Sequence, residues 1–207
     1  MKLLIVAATC FEIEPFIHQK NEVDILITGV GIPATVYHLT KKLMNEKYDF
    51  VIQAGIAGTT SNQLKLGDVV GIKEDTFGDI GIEENGQMQT LFETGFLEKD
   101  EFPFTNGWLV NANKILEKVS LPLVKAISVN KVSDNNIQNK LAFEKFNTDV
   151  ESMEGAAFHY VCLQQKTNFL QLRSISNLVG ERDKSKWEMQ PAIENLNKEL
   201  LKIVDTL

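Results

Sequence analysis

Short apolar runs that alternate with helical patterns constrain the fold of this chain more than any other feature of its sequence. Seven segments have the length and composition of buried strands, and several of them end in glycine. Strands that alternate with helices favour a mostly parallel sheet with helices on both faces. The predicted strands are 3–9, 23–31, 49–58, 67–74, 123–130, 149–157 (which turns into a helix) and 168–177; the predicted helices are 32–47, 111–119, 136–146 and the chain from about 190; residues 75–106 are predicted to be less regular.

Length and charge limit the classes of function. A chain of 207 residues suits a single domain, 1–207. The net charge of −7 argues against nucleic acid and membrane surfaces as partners, because both attract basic patches. The apolar amino-terminal run is too short for a membrane span and has no convincing signal-peptide cleavage site. We therefore expect a cytoplasmic protein, and the scattered histidines and two cysteines predict no metal site.

Polar residues stand at three of the predicted strand ends. Glu12 follows the first strand, Glu154 lies where the strand in 149–157 turns into a helix, and Asn177 ends the last strand. Ligands bind at the carboxyl ends of strands in open α/β sheets, so these three side chains are expected to face one crevice. Each also has a structural alternative, a glutamate at a helix N-terminus or an asparagine that ends a strand. Their convergence favours a small-molecule site.

Two glycine turns lie near the same edge. GVGIPA at 29–34 lacks the third glycine of a dinucleotide-binding motif, so it is predicted to be a tight turn with Pro33 in the first turn of a helix. GIAG at 55–58 offers backbone amides to a ligand but has no Walker lysine. Neither run identifies a ligand by itself.

Four stretches together resemble the purine nucleoside phosphorylase and nucleosidase family: Glu12, QAGIAG at 53–58, SMEGAA at 152–157 and LRSISNLVG at 172–180. Their order and spacing are similar to the methylthioadenosine/S-adenosylhomocysteine nucleosidases of that family, with a poor match at 75–135. The resemblance implies a nucleoside hydrolase with a three-layer α/β/α sandwich and a mixed, mostly parallel central sheet. It also implies a homodimer that needs no cofactor and binds a small-molecule nucleoside.

The resemblance also assigns roles to the matching residues. Glu12 would be the general base for the attacking water, and Arg173 would help to hold that water and Glu12. Glu154 would bind the ribose hydroxyls, with Met153 under the sugar. The floor near the sugar would be lined by Gly55, Ile56, Ala57 and Gly58, of which Ile56 stands where the thioadenosine enzymes typically carry a serine.

Asn177 would meet the leaving base, which departs with negative charge. The thioadenosine enzymes carry an aspartate here, which can donate a proton to the purine. An asparagine cannot supply that proton, but its amide has two N–H donors that suit N7 and a 6-oxo group. Asn177 therefore favours hypoxanthine over adenine, although an amide can also bind adenine.

Trp187 is matched by the resemblance to an aromatic residue that covers the 5′ group of the nucleoside. A tryptophan there would stack on an aromatic 5′ substituent, and Arg182 or Lys186 would pair with a carboxylate on it. The alternative is that Trp187 packs the terminal helix onto the sheet.

The acceptor of the sugar is predicted from the arginines. Arg173 and Arg182 are the two arginines of the chain. The first 172 residues, in which phosphorylases of this family place their phosphate ligands, contain no arginine. Water is therefore the expected acceptor. The alternatives are a thioadenosine nucleosidase, a phosphorylase, and a nucleoside-binding protein without catalysis; the presence of Glu12, Glu154 and Arg173 argues against the last.

Overall fold

An eight-stranded mixed sheet forms the centre of the structure, a computed structural model that describes residues 1–20 and 22–207. A separate two-stranded hairpin consists of β5 and β6. The strands are β1 Leu3–Ala7, β2 Asp24–Ile27, β3 Phe50–Thr59, β4 Val69–Phe77, β5 Gly81–Glu84, β6 Gln87–Thr90, β7 Leu109–Val110, β8 Leu123–Ser128, β9 Val150–Ser152 and β10 Phe169–Leu178. The helices are α1 Cys10–Gln19, α2 Ile32–Asn45, α3 Asn136–Phe146, α4 Gly155–Gln164 and α5 Met189–Thr206, with 3₁₀ turns at Lys114–Glu117 and Lys184–Lys186.

The central sheet closes partly on itself. Its order is β10-β4-β8-β9-β3-β1-β2, with β7 beside β4, and β10 pairs with β3 as well as with β4. The strands β3, β10, β4, β8 and β9 thus form a ring, from which β1 and β2 extend. The pairs β1–β2, β1–β3, β3–β10, β4–β8 and β8–β9 are parallel, whereas β4–β10, β3–β9 and β4–β7 are antiparallel. Local periodicity in the sequence predicted most of these strands, but it does not predict the pairing of β10 with β3 that closes the ring.

Alternate residues of the central strands enter two apolar cores. Ile5 and Ile52 belong to a core that also contains buried residues of α1 and α5. Leu4 and Val51, their chain neighbours, belong to a second core with residues of α2 and α4. This alternation follows from the two-residue period of a strand, and it places helices against both faces of the sheet. Among the helices formed by described residues, none is long and apolar enough to cross a membrane.

The prediction and the structure differ in three segments. Helix α1 was not predicted, because Pro15 interrupts its apolar period, and in the structure the helix is kinked at Ile13, which has non-helical angles. The predicted helix 111–119 is only the 3₁₀ turn at 114–117. Part of the irregular segment 75–106 is ordered as the end of β4 and the hairpin of β5 and β6.

Candidate active site

A cavity of about 540 Å³ opens at the carboxyl ends of β1, β3 and β10. Most of the predicted site residues line it, although they are distant in sequence. Two others, Gly55 and Arg173, lie directly behind its wall, where a Cβ on Gly55 would collide with the Arg173 guanidinium. The predicted residues in the lining are Glu12, Ile56, Ala57, Gly58, Met153, Glu154, Asn177, Arg182 and Trp187.

Glu12 is buried at the start of α1 and holds both of its carboxylate oxygens in hydrogen bonds. Oε2 accepts from the backbone N–H and the hydroxyl of Thr9, each at 3.0 Å, and Oε1 accepts from the Ile56 N–H at 3.1 Å. The carboxylate is therefore both a helix N-terminal charge and part of the cavity wall. Burial raises the pKa of Glu12 above its usual value, although the Arg173 charge and the Ile56 N–H oppose this shift. A raised pKa makes the carboxylate a better proton acceptor.

Glu154 is the residue that precedes α4, and it too is buried. Its Oε1 accepts from the Gly31 N–H at 3.0 Å. Gly31 has a φ of +94°, which favours glycine and aims this N–H at the carboxylate. The GVGIPA stretch is thus the predicted tight turn, with Pro33 in the first turn of α2, and it fixes Glu154 in addition.

Arg173 is 1% exposed and supplies the counter-charge of the site. Its Nη2 donates to Gln53 Oε1 at 3.0 Å, and its Nη1 lies 3.5 Å from Glu154 Oε2. The guanidinium therefore pairs with Glu154, and its effect on Glu12 is that of a nearby charge. That Arg173 helps to hold the attacking water and Glu12 stays a prediction.

Asn177 lies at the end of β10, just after an irregularity in the register with β3. Its Oδ1 accepts from the Ser176 hydroxyl at 2.9 Å, and its Nδ2 donates to the Leu178 carbonyl at 2.9 Å. These bonds fix which end of the amide is the donor. The second N–H of Nδ2 is available for a ligand in the cavity.

The loop after β10 brings Trp187 and Arg182 together at the rim. The Arg182 guanidinium lies 5.6 Å from the centre of the Trp187 ring, and the indole N–H donates to the Glu181 carbonyl at 2.9 Å. Lys186 is bound to the Glu181 carboxylate at 2.7 Å. Of the two cations predicted to bind a carboxylate, Arg182 lines the cavity, whereas Lys186 is outside the lining and is paired with Glu181.

Sequence reasoning missed a buried polar network behind the site. Asp75 on β4 is fully buried; it accepts from Ser128 Oγ at 3.1 Å and from Gln171 Nε2 at 3.3 Å. Ser128 in turn accepts from the Ala156 N–H at 2.7 Å, close to Glu154. Burial raises the pKa of Asp75 to about 7, opposed by Arg173. The sequence gives little signal for this residue, because Asp75 directly follows Lys73 and Glu74 in the polar half of β4.

Asp75→Asn is expected to stabilise the protein as the pH rises. Between its ordinary pKa of 3.8 and about 7, folded Asp75 keeps a proton that the unfolded chain releases, so stability falls with rising pH. The new amide cannot ionise, and Gln171 Oε1, which lacks a partner among the described residues, can turn to accept from it. The free energy of unfolding of Asp75→Asn minus that of wild type should be larger at about pH 8 than at about pH 5, by about 1 kcal/mol or more. Denaturant titrations at both pH values test this, and a pH-independent difference would contradict it.

Comparison with known proteins gives the relatives of this chain. It is 24% identical over 182 residues to the futalosine hydrolase of Thermus thermophilus, covering 86% of this chain and 80% of that protein. It is 26% identical over 204 residues to the 5′-methylthioadenosine/S-adenosylhomocysteine nucleosidase of Colwellia psychrerythraea, covering 91% and 82%.

Solved structures share the mixed α/β fold. The native futalosine hydrolase of Helicobacter pylori superposes with a TM-score of 0.81 at 16% identity, covering 100% of this chain and 98% of that one. The Neisseria meningitidis 5′-methylthioadenosine/S-adenosylhomocysteine nucleosidase, in complex with methylthio-immucillin-A, gives 0.81 at 18% identity and covers 100% of both chains. The family model for the phosphorylase superfamily matches residues 9–207. Because that match spans nearly the whole sequence, the chain belongs to the phosphorylase superfamily.

Proposed function

We propose that this chain is a purine nucleoside hydrolase that cleaves the N-glycosidic bond with water. The observation that carries the proposal is the meeting of two buried carboxylates, Glu12 and Glu154, with one buried guanidinium at a single cavity. The two relatives described above are a hydrolase and a nucleosidase by name. The proposed domain is 1–207, acting as a cytoplasmic homodimer.

The two carboxylates have different tasks in this mechanism. Glu12, with its raised pKa, takes a proton from the attacking water, which is a poor nucleophile until it is deprotonated. Glu154 binds the ribose hydroxyls and stabilises the positive charge that develops on the sugar as the bond breaks. Arg173 holds Glu154 in place through its Nη1.

Water is favoured over phosphate as the acceptor. A phosphorylase needs cationic ligands for phosphate, and arginine is suited to them because its guanidinium forms forked bonds. Arg173 is already engaged with Gln53 and Glu154. The other arginine, Arg182, lies in the rim loop after β10, and the first 172 residues contain none.

Futalosine is the proposed substrate, with hypoxanthine as the released base and a role in menaquinone biosynthesis. The free N–H of Asn177 suits N7 or O6 of a 6-oxopurine. Trp187 and Arg182, which also line the cavity, suit an aromatic carboxylate, through stacking and a charge-assisted bond. Ile56 also departs from the serine that the thioadenosine enzymes typically carry. The second candidate, a 5′-methylthioadenosine/S-adenosylhomocysteine nucleosidase, is favoured by the names of most of the similar proteins.

A substrate panel tests the proposal. Purified protein is mixed with futalosine, methylthioadenosine, inosine or adenosine, with and without phosphate, and the released base is identified by chromatography. The expected result is hypoxanthine from futalosine at a rate that does not depend on phosphate. Release of adenine from methylthioadenosine alone would support the second candidate, and a requirement for phosphate would contradict hydrolysis.

Asn177→Asp is expected to shift preference toward 6-aminopurine nucleosides. An aspartate can accept from the 6-amino group and, when protonated, donate to N7, whereas its charge repels O6 of a 6-oxopurine. The ratio of kcat/KM for inosine to that for adenosine should fall by about tenfold or more, since one charge-assisted hydrogen bond is involved. An unchanged ratio would mean that Asn177 does not contact position 6.

A further inference from the structure

A chain of hydrogen bonds runs from the first turn of α4 to the buried carboxyl group of Asp75. The Gly155 N–H donates to Ser152 Oγ at 3.2 Å, and the Ala156 N–H donates to Ser128 Oγ at 2.7 Å. The two serines pair directly across β8 and β9, and their hydroxyl oxygens lie 3.3 Å apart. Ser128 Oγ donates to Asp75 Oδ1 at 3.1 Å. Ser128 and Asp75 are fully buried and lie outside the lining of the cavity, so they act on the site from behind.

The direction of these bonds makes Asp75 the acceptor at the end of the chain. A serine hydroxyl has one hydrogen to donate and can accept two hydrogen bonds. Ser128 uses its hydrogen on Asp75, so the bond between the two serines is donated by Ser152. The backbone N–H groups of α4 can only donate, and every bond in the chain therefore points toward Asp75. Without that carboxyl oxygen, the hydrogen of Ser128 loses its acceptor.

Asp75 also touches the backbone next to Glu154. A Cβ on Gly155 would collide with Asp75 Oδ2 and with Gln171 Nε2, so both side chains lie directly against the Gly155 Cα. Gln171 Nε2 lies 3.3 Å from Asp75 Oδ2 and holds that oxygen in place. The backbone that follows Glu154 is thus supported by Asp75, while the Glu154 carboxylate lines the cavity.

The fold gains little from a carboxyl group at this position. Burial raises the pKa of Asp75 to about 7, opposed by the charge of Arg173. Apolar residues of similar volume often replace buried charged groups without loss of stability. A buried acid that costs the fold free energy and stands directly behind a functional carboxylate indicates a role in the site.

We propose that Asp75 is a positioning residue for Glu154, acting through Ser128 and the first turn of α4. The assignment rests on the proposed function, in which the Glu154 carboxylate binds the ribose hydroxyls. A binding group must be held within about 0.5 Å of its productive position, and the residues behind it supply that precision. Asp75 therefore determines how well the site distinguishes a ribose from a 2′-deoxyribose, although it touches neither sugar.

The test compares the substrate chosen from the panel with its 2′-deoxy analogue. Wild type should favour the ribose substrate in kcat/KM by about 10- to 100-fold, because the analogue lacks a hydrogen bond to a charged group. Ser128→Ala and Asp75→Leu should each lower this ratio by about fivefold or more, since a displacement of about 1 Å can cost about 10²-fold. Asp75→Asn keeps an oxygen that accepts from Ser128, so it should keep the ratio within about twofold.

The double variant shows whether Asp75 acts through Ser128. If it does, Asp75→Leu combined with Ser128→Ala should lower the ratio no further than Ser128→Ala alone, because both substitutions break one link. Additive effects would contradict this route. Ser174→Ala is the matched control, since Ser174 is fully buried on β10 and its hydroxyl has no hydrogen-bond partner among the described residues. Its ratio should equal that of wild type.

The outcomes separate this assignment from the proposed function. If wild type hydrolyses a nucleoside of the panel and folded Ser128→Ala protein keeps its ratio, the assignment is wrong and the proposed function stands. If Glu154→Gln also keeps the ratio, the proposed ribose contact is wrong, and the assignment with it. If wild type hydrolyses no nucleoside, both proposals are wrong. Melting temperatures identify a variant that does not fold, and Ser128→Ala, which removes a single oxygen, decides the test if Asp75→Leu is such a variant.

Discussion

Glu12→Gln is expected to lower kcat for nucleoside hydrolysis by about 10²- to 10⁴-fold, the usual contribution of a general base. The substitution keeps the shape of the side chain and an oxygen that can accept from Thr9 or Ile56, but it removes the group that takes the proton. KM should change little, because the proposed ligand of the ribose hydroxyls is Glu154. Steady-state kinetics on the substrate chosen from the panel measures both constants.

The pH dependence of the wild-type enzyme provides a second readout of the same group. Glu12 must be ionised to act as a base, so kcat should rise with pH through its pKa, which burial holds above the usual value near 4.5. Glu14→Gln is the matched control, since Glu14 lies on the same helix but is exposed. A folded Glu12→Gln protein that keeps more than about half of the wild-type rate would remove Glu12 from the mechanism.

The sequence predicted those parts of the fold that depend on local patterns. The apolar run at 49–58 became β3, and GVGIPA became the turn before α2. Helix α1 was missed although Thr9 and Glu12 have the spacing of a capping box, because Pro15 interrupts the apolar period that follows. The pairing of β10 with both β3 and β4 joins segments far apart in the chain, and no local pattern encodes such contacts.

The same division holds for the site. Glu12 and Asn177 were predicted to lie together because parallel strands bring their carboxyl ends to one edge, and both line the cavity between the parallel strands β1, β3 and β10. Glu154 lines the same cavity, but it follows β9, which runs antiparallel to β3. Glu151 also lines this cavity and was not predicted, because its place beside Gly58 depends on the antiparallel register of β9. Asp75 was missed for a similar reason, since its partners Ser128 and Gln171 come from other strands.

Arg173→Met is expected to be the most destabilising of the substitutions discussed, by about 3–5 kcal/mol in the free energy of unfolding. Methionine fills much of the volume, but Glu12, Glu154 and Asp75 then share a buried region without their counter-charge. Arg173→Lys keeps the charge and should lose less, although it cannot reproduce the fork that reaches both Gln53 and Glu154. Denaturant titration at neutral pH gives the difference, and Arg182→Met, at the exposed rim, is the stability control.

The cause of that loss can be separated from simple loss of packing. If unpaired charge is responsible, the Arg173→Met protein should recover stability as the pH falls, because carboxylates without a partner bind protons more readily in the folded state. Adding Asp75→Asn should also restore part of it, since one of the groups near the missing charge can no longer ionise. A loss of stability caused only by missing side-chain contacts at position 173 would depend neither on pH nor on Asp75. Equal losses at about pH 5 and pH 8, and strict additivity with Asp75→Asn, would therefore show that Arg173 stabilises the fold by packing rather than by holding the carboxylates of the site.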